Sequence, residues 1–520
     1  MVTAVPARLR GRALVLGLDV GTASVRGALH DERSGDLVAE AIEPLRLHGR
    51  PPARELDFEA AWRCIETVLG RLEQAVGEHP SGEDGPGVHH VTVAATASTV
   101  AAFDDDFRPV GRGIMWADHR AAREAAEIRA TGHPVLGRTL GHVSPEWGLP
   151  KLLHLWRSWQ RAGAPGADGR QRSRRRGSRR PVRLVLELLD WLDWKLTGRL
   201  VANAGIREWG WCVDDDGRWP NDLVERVGLG EALRHVAPDA APTGTPLGPV
   251  RPDLAARYPL LRRATVTMGG MDSYLAALGL GVVRAGRLTA SFGSSSSLLA
   301  RADTGDASGH LYGPFRRILP GSVEGYWHGG QSTAGLAVEW TIGLLGRPRA
   351  GLEALAAEVP PGSEGVVFRE TLLDRRTPEP RAGLRAVWDG LALAHGPGHL
   401  YRSVLEGVAF GARWATLPLR PEEVVITGGL AASPLFRAIL ADVLGRPVGL
   451  MRHGLATGIG AAFAHDPERL VELNPVVETT MPTGAASSLV LEEAFRRYRA
   501  LHRLPHALGG ASPATAQGAA

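Results

Sequence analysis

Ala13-Leu14-Val15-Leu16-Gly17-Leu18-Asp19-Val20-Gly21-Thr22-Ala23-Ser24-Val25-Arg26-Gly27-Ala28-Leu29 sets the frame for the rest of the chain. Ala13 to Asp19 is an apolar run of strand length. Val20 to Ser24 is a turn of small residues, and Val25 to Leu29 reads as a return strand. A second turn, Asp31 to Asp36, precedes a third short strand, Leu37 to Ile42. Two tight turns this close together predict an antiparallel meander, not a strand–helix–strand unit. The first turn also carries chemistry. Gly21 lets the backbone approach a phosphate, and the Thr22 hydroxyl can donate to its oxygens. Asp19 would repel that phosphate unless a hard cation takes oxygens from both. Alone, the same residues read equally as an ordinary hairpin.

The pattern returns later. Gly286 to Phe292 reads as a strand, Gly293-Ser294-Ser295-Ser296-Ser297 as a small-residue turn, and Leu298 to Arg301 as a return strand. Two such hairpins predict a duplicated architecture with a cleft between the halves. Glu423 to Thr427 reads as a buried strand. Gly428-Gly429 to Ser433 is then a turn against which an adenosine could lie, before a helix from Pro434 to Leu444 with proline in its first turn. In Met268-Gly269-Gly270-Met271-Asp272, the acid can serve as a general base or simply cap a helix. Trp116-Ala117-Asp118-His119-Arg120 gathers donors and acceptors, or caps a helix. Further helices are expected at Phe58 to Val76, Arg120 to Ala130, Pro150 to Trp159 and Leu491 to His502, and a strand at Val88 to Ala95. His79 to Gly87 reads as a loop, and Gly509 to Ala520 as a frayed tail.

Composition narrows the classes. The chain has 520 residues, 44% hydrophobic and 22% charged, which suits packed domains and excludes disorder as the main state. Two cysteines, Cys64 and Cys212, exclude a disulfide scaffold and a cysteine-rich zinc module, and suit a reducing cytoplasm. The net charge is +4, and of 60 basic residues only Lys151 and Lys195 are lysine. Arginine is spread along the chain except in Arg170 to Arg180, a low-complexity stretch without aromatics to stack bases. It reads as a solvated loop, so no nucleic-acid partner is expected. No apolar run of about 18 residues predicts a membrane span, and Met1 to Arg12 lacks a signal-peptide core. A soluble, cytoplasmic protein is expected. Walker A, GxGxxG, GxSxG and zinc-ligand spacings are all missing from the sequence.

The motifs taken in order resemble the FGGY carbohydrate kinases, of the actin/hexokinase/heat-shock ATPase superfamily. The resemblance rests on Gly17-Leu18-Asp19-Val20-Gly21-Thr22, Trp116 to Arg120, Gly270-Met271-Asp272, Gly293-Ser294-Ser295, Gly329-Gly330-Gln331-Ser332 with Gly335, Arg376-Thr377-Pro378 and Gly428-Gly429-Leu430. It implies an α/β fold of two actin-like (ribonuclease H-like) domains, with mixed sheets flanked by helices and a cleft between them. Residues 1–280 would form the first domain, 281–466 the second, and 467–520 a C-terminal helix and flexible tail. By position, it implies Asp272 as catalytic base and Asp19 as a ligand of Mg²⁺. Gly21, Thr22, Ser24, Gly293, Ser294, Gly335, Gly429 and Ser433 would bind ATP. Ala97, Ser98, Asp118, Glu146 and Lys151, with Asp272, would bind the sugar. Within the family the chain is most similar to the ribulokinases, through Met115 to Ala121, Val143 to Glu146, Pro150 to Leu153 and Asp190 to Gly198. It departs from them at Thr96-Ala97-Ser98 and at Ser273-Tyr274, where Tyr274 could narrow the pocket. The expected activity is ATP-dependent phosphorylation of a pentulose, ribulose first. Xylulose or a pentitol is the alternative, and a non-catalytic ATP switch a further one. The expected partners are the sugar and ATP, with a homodimer left open.

Overall fold

The computed structural model describes residues 2–4, 12–76, 87–161 and 182–504. Most of the His79–Gly87 loop, the polybasic stretch and the Gly509–Ala520 tail lie outside them.

The opening meander forms as its turns dictate. Ala13–Val20 pairs antiparallel with Ser24–Asp31, which pairs antiparallel with Leu37–Pro44. On its other side, Ala13–Val20 runs parallel to Gly87–Ala95, and that strand parallel to Thr265–Met271. Pro246–Pro249 closes the far edge. The Phe58–Val76 helix covers one face, burying Phe58, Ala61, Trp62, Ile65, Val68, Leu69, Leu72 and Val76. That three-and-four spacing is one stripe of a helix, and each large side chain so buried contributes about 1.5–3 kcal/mol.

The second sheet repeats this plan. Arg287–Phe292 pairs antiparallel with Ser296–Arg301 and parallel with Glu423–Thr427, which runs parallel to Val448–Met451. Each half therefore has a central hairpin followed by parallel strands, the duplication expected from the two Gly/hydroxyl turns. A smaller five-stranded sheet, including Val100–Phe103, Gly113–Ile114 and Leu184–Glu187, supports the side of the first half that faces the cleft.

Two expectations change. Residues after 466 are not an appendage. Val476–Thr480 pairs with Val448–Met451 as an edge strand of the second sheet. The last helix is longer than expected, Ala485–Leu501, and buries Leu491, Phe495, Tyr498 and Leu501 in the second core. The segment Ala456–Ala462 also does not stay with the second half. It returns across the chain to pack on the Asp272–Gly279 helix and the Ala13–Val20 strand, forming a third core with Val15, Ala94, Leu275, Leu278, Ile459 and Phe463.

Glycine makes that return possible. A Cβ at Gly17 would stand 2.1 Å from the Gly458 carbonyl oxygen, and one at Gly460 would stand 1.9 Å from that of Leu275. Real Cβ atoms do not approach backbone so closely, so a side chain at Gly17 forces the Ala456–Ala462 helix off the strand and one at Gly460 forces it off the Asp272–Gly279 helix. Gly460→Ala should lower the melting temperature, by an amount matching about 1–3 kcal/mol of overpacking strain. An unchanged melting curve would mean that the helices slide apart without cost.

Candidate active site

Neighbouring parallel strands of the first sheet end at one level, where ligands of open α/β sheets bind. Ala13–Val20 brings Asp19 there, Gly87–Ala95 leads into Thr96 and Ala97, and Thr265–Met271 leads into Asp272. In the second half, Arg287–Phe292 delivers Gly293 and Ser294. Asp19, Gly21, Thr22, Ala97, Glu146, Asp272, Gly293 and Ser294 all line one cleft of about 390 Å³.

The two turns are braced differently. In the first, Gly21 N–H donates to the Ser24 carbonyl at 3.0 Å, and the Trp116 indole N–H donates to the Thr22 hydroxyl at 3.2 Å. With its oxygen accepting from Trp116, the Thr22 hydroxyl keeps its own proton free for an anion. In the second, the backbone N–H of Gly335 donates to the Gly293 carbonyl at 2.8 Å and that of Ala334 to Ser294 at 2.9 Å. Gln331 N–H donates to the Ser296 hydroxyl at 2.8 Å, and the Gln331 amide reaches Glu370 at 3.0 Å. Gly330 N–H donates to Thr377 Oγ1 at 2.9 Å. The Gly329–Ser332 and Arg376–Pro378 motifs are thus tied together beneath the serine turn.

The electrostatics centre on two carboxylates. Burial raises Asp272 to about 7, and the charge of Asp19 adds to the rise. Asp19 itself is raised by burial to about 6, against the pull of Arg26. A carboxylate in that range takes up and releases a proton near neutrality. Ser273 N–H donates to Asp272 Oδ1 at 2.7 Å, which fixes the side chain at the start of its helix. The paired carboxylates and the Thr22 hydroxyl are hard oxygen donors, a set that fits a small divalent cation such as Mg²⁺.

Beyond Asp272 the wall is formed by Ala97, His142, Ser144, Glu146, Trp147, Trp209, Tyr312, His328 and Arg376. Burial alone would raise Glu146, but the Arg376 guanidinium and His119 bring it down to about 2. Arg376 belongs to the second half and stands 3.5 Å from Glu146 of the first, so this ion pair spans the cleft. His328 accepts or donates at 3.2 Å with the Tyr274 hydroxyl, and burial lowers it to about 3, so the ring is neutral. Tyr274 is fully buried behind His328 and does not narrow the cleft itself.

Several expected contacts lie elsewhere. Asp118 is fully buried. It accepts from Arg120 Nε at 3.0 Å, Arg120 Nη2 at 2.7 Å and Arg54 N–H at 2.8 Å, so its oxygens are occupied within the wall. Lys151 is also fully buried. Its ammonium donates to the carbonyls of Ser98, Met115 and Glu146 at 2.5, 2.8 and 2.6 Å, which uses all three protons. Ser98 offers its carbonyl to Lys151 rather than its side chain to the cleft. Ser24 closes the first turn by its carbonyl, and Gly335 holds the second turn from behind. Gly429 lies at the start of a short 3-10 turn, and Ser433 caps the Pro434–Leu444 helix through Phe436 N–H at 3.1 Å. None of these seven residues lines the cleft.

Duplicated actin-like halves with a hydroxyl turn on each side and a titrating carboxylate between them define a phosphotransferase. The chain belongs to the FGGY family of carbohydrate kinases: the family's N-terminal domain matches residues 14–279 and its C-terminal domain residues 288–465. It is an ATP-dependent sugar kinase. It is 25% identical over 460 residues to a xylulose kinase of Lactococcus lactis, with 86% of each chain covered. It is 25% identical over 559 residues to a ribulokinase of Anoxybacillus flavithermus, covering 95% of this chain and 94% of that one. The crystal structure of xylulose kinase from Rhodospirillum rubrum superposes with a TM-score of 0.80 at 27% identity, over 94% of this chain and 98% of that one. Among the described residues, no helix is long and apolar enough to cross a membrane.

The cleft residues missed from sequence were His142, Trp147, Trp209, Tyr312 and His328, while Ser144 lies in the quoted Val143 to Glu146 stretch without having been assigned to the site. Lys151→Met separates the two views of that lysine. Removing it takes the ammonium from three buried carbonyls, of which Met115 keeps the Asp118 N–H at 3.0 Å while those of Ser98 and Glu146 lose this donor, each loss costing about 1–3 kcal/mol. The variant should melt well below the parent. A normal melting temperature with only a raised KM for sugar would return Lys151 to the sugar contacts.

Proposed function

We propose that this kinase phosphorylates a hydroxyl of a ketopentose, with Asp272 as the general base. The observation that carries the reading is the position of Asp272: a carboxylate raised to about 7, between the Thr22 turn and the His328–Glu146 wall. Phosphoryl transfer has a loose transition state, so catalysis is chiefly positioning and charge stabilisation. The Thr22 and Ser294 turns hold the triphosphate from opposite halves. The nucleoside end would lie toward Gly429 and Ser433, outside the cleft lining itself, and Gly335 acts only by holding the serine turn from behind. Asp272 accepts the proton of the attacking alcohol. Asp19, with Asp272 nearby, would hold Mg²⁺, which supplies positive charge to the phosphate oxygens when bound.

Xylulose is the first candidate acceptor and ribulose the second. Xylulose kinases stand among the relatives at 25–27% identity both in sequence and in fold. The ribulose reading leaned on Asp118 and Lys151, and both are spent inside the protein. The ribulokinase relative still supports it. A cleft walled by Trp147, Trp209 and Tyr312, with Glu146 and neutral His328 as polar partners, suits a short polyhydroxylated chain: aromatic faces take C–H edges and the polar groups take hydroxyls. ATP consumption across xylulose, ribulose and pentitols tests this directly. Turnover of a pentitol or glycerol above both pentuloses would overturn it.

Asp272→Asn should keep ATP binding and lose about 10²–10⁴ in kcat. Retention of more than about a tenth of the parent rate would remove the base from Asp272. The pH profile follows from the same carboxylate. Its raised folded value means the base form is lost as pH falls through about 7, so kcat/KM should drop on the acid side of that point. Because the Asp19 charge contributes to the rise, Asp19→Asn should move the acid limb of its residual activity to lower pH. An acid limb that stays in place would uncouple the two groups.

A further inference from the structure

We propose a second, separate metal site for a divalent transition ion of the zinc type, formed by Glu32, His90 and His465 behind the interdomain helices. One ligand atom from each of these residues lies within 4.8 Å of the others, and among the described residues this is the one cluster of its kind. The three come from different parts of the chain. Glu32 begins the turn after the Ser24–Asp31 strand, and His90 sits in Gly87–Ala95. His465 follows the Ala456–Ala462 helix, so the site joins the first sheet to the segment that returns from the second half.

The local geometry is that of prepared ligands. The His90 and His465 rings stack face to face with centroids 3.7 Å apart and planes within 6°. His90 Nδ1 is 3.4 Å from the Thr267 hydroxyl, which leaves Nε2 as its ligand atom. Nδ1 of His465 is buried and makes no hydrogen bond of ordinary geometry. A buried imidazole nitrogen without a partner carries a desolvation cost that a metal would remove. The fixed orientation of the carboxylate comes from His89, whose Nδ1 lies 2.9 Å from Glu32 Oε2, an outer partner of the kind that orients metal ligands.

Two imidazoles and one carboxylate are the donor set of zinc sites with a fourth position left to water. Tetrahedral ligation at about 2.0–2.1 Å from each nitrogen asks the rings to tilt out of their parallel stack. Hard Mg²⁺ prefers an all-oxygen shell, so the ion used by the cleft does not compete for this one. None of the three residues lines the cleft. The site therefore acts as a clamp on the returning segment, and its readout is binding and stability rather than turnover.

The test titrates the full chain with ZnCl₂ in Mg²⁺ buffer by calorimetry, with melting curves at each step. Co²⁺ is then used as a spectroscopic probe. One equivalent should bind, the melting temperature should rise with zinc, and Co²⁺ should give the intense visible bands of tetrahedral nitrogen and oxygen ligation. His90→Ala and His465→Gln should each weaken zinc at least tenfold. Glu32→Gln, which leaves both rings in place, should weaken it less and alter the Co²⁺ spectrum. His395→Ala combined with His399→Ala, a histidine pair 5.0 Å apart elsewhere in the fold, is the control and should leave the zinc affinity and the Co²⁺ spectrum unchanged. Binding that survives both His90→Ala and His465→Gln, binding abolished by the control, or no binding to the parent chain would each overturn the site.

Discussion

Two short helices, Asp272–Gly279 and Ala456–Ala462, meet backbone to backbone. The cleft depends on that contact more than on either sheet. Gly460 lies against the Leu275 carbonyl and Gly279 against that of Ala456, at separations where a methyl group has no room. The first helix begins with Asp272, and the second begins beside Thr457, another residue of the cleft wall. The crossing therefore sets where the carboxylate stands relative to both turns. It also joins the two halves through a buried apolar core instead of a free linker, so relative motion of the halves must pivot around it. Such packed crossings tend to have discrete arrangements rather than a continuous range.

The cleft is spanned a second time, at its mouth, by Arg376 and Glu146. Glu146 is already held by His119 at 3.3 Å, and Arg376 lies next to Thr377, which is tied to Gly330 beneath the serine turn. A chain of polar contacts thus runs from the Glu146 wall of the first half to the serine turn of the second. A ligand that touches Glu146 or Arg376 acts on both ends of it. Closure can then respond to the sugar without a dedicated lid, because binding that favours one arrangement of the halves shifts the equilibrium by its differential affinity. The same closure would keep water from the phosphoryl group.

The order of motifs carried the fold well. A strand, a glycine–hydroxyl turn and a return strand, repeated once, needs only local spacing to be seen, and both hairpins form with the expected pairing. The two turns were legible for the same reason, being fixed by short-range geometry at strand ends, whereas the choice of Asp272 over a plain helix cap came from the resemblance. What sequence did not reveal depends on long-range contacts. His142, Trp209, Tyr312 and His328 lie far apart in the chain and meet only because the halves face each other. Val476–Thr480 read as loose because its strand is exposed on an edge and alternates little. Asp118 and Lys151 entered as sugar ligands through the resemblance to the ribulokinases, and burial among backbone carbonyls and arginines leaves no trace in local spacing that would have placed them otherwise.

Lys151 also accounts for a feature of composition. The chain has 60 basic residues and uses arginine at all but two of them. At Lys151 three carbonyls approach one point from three separate segments, at 2.5 to 2.8 Å. A compact ammonium with three tetrahedral protons satisfies them. A guanidinium is planar, larger, and spreads its donors over a fork that would reach two of the three at best. Burial lowers Lys151 to about 8, against the pull of Glu187. Losing its charge would free a lone pair where three oxygens converge, so the carbonyls themselves favour the protonated form. The other lysine, Lys195, stands over the rings of Trp62 and Trp191 at 5.1 and 4.9 Å, again a site for a small cation between two faces. Where the chain departs from arginine, the reason is the shape of the hole, and at Lys151 that hole is the joint holding the segments of Ala97, Trp116 and Glu146 in place along the cleft.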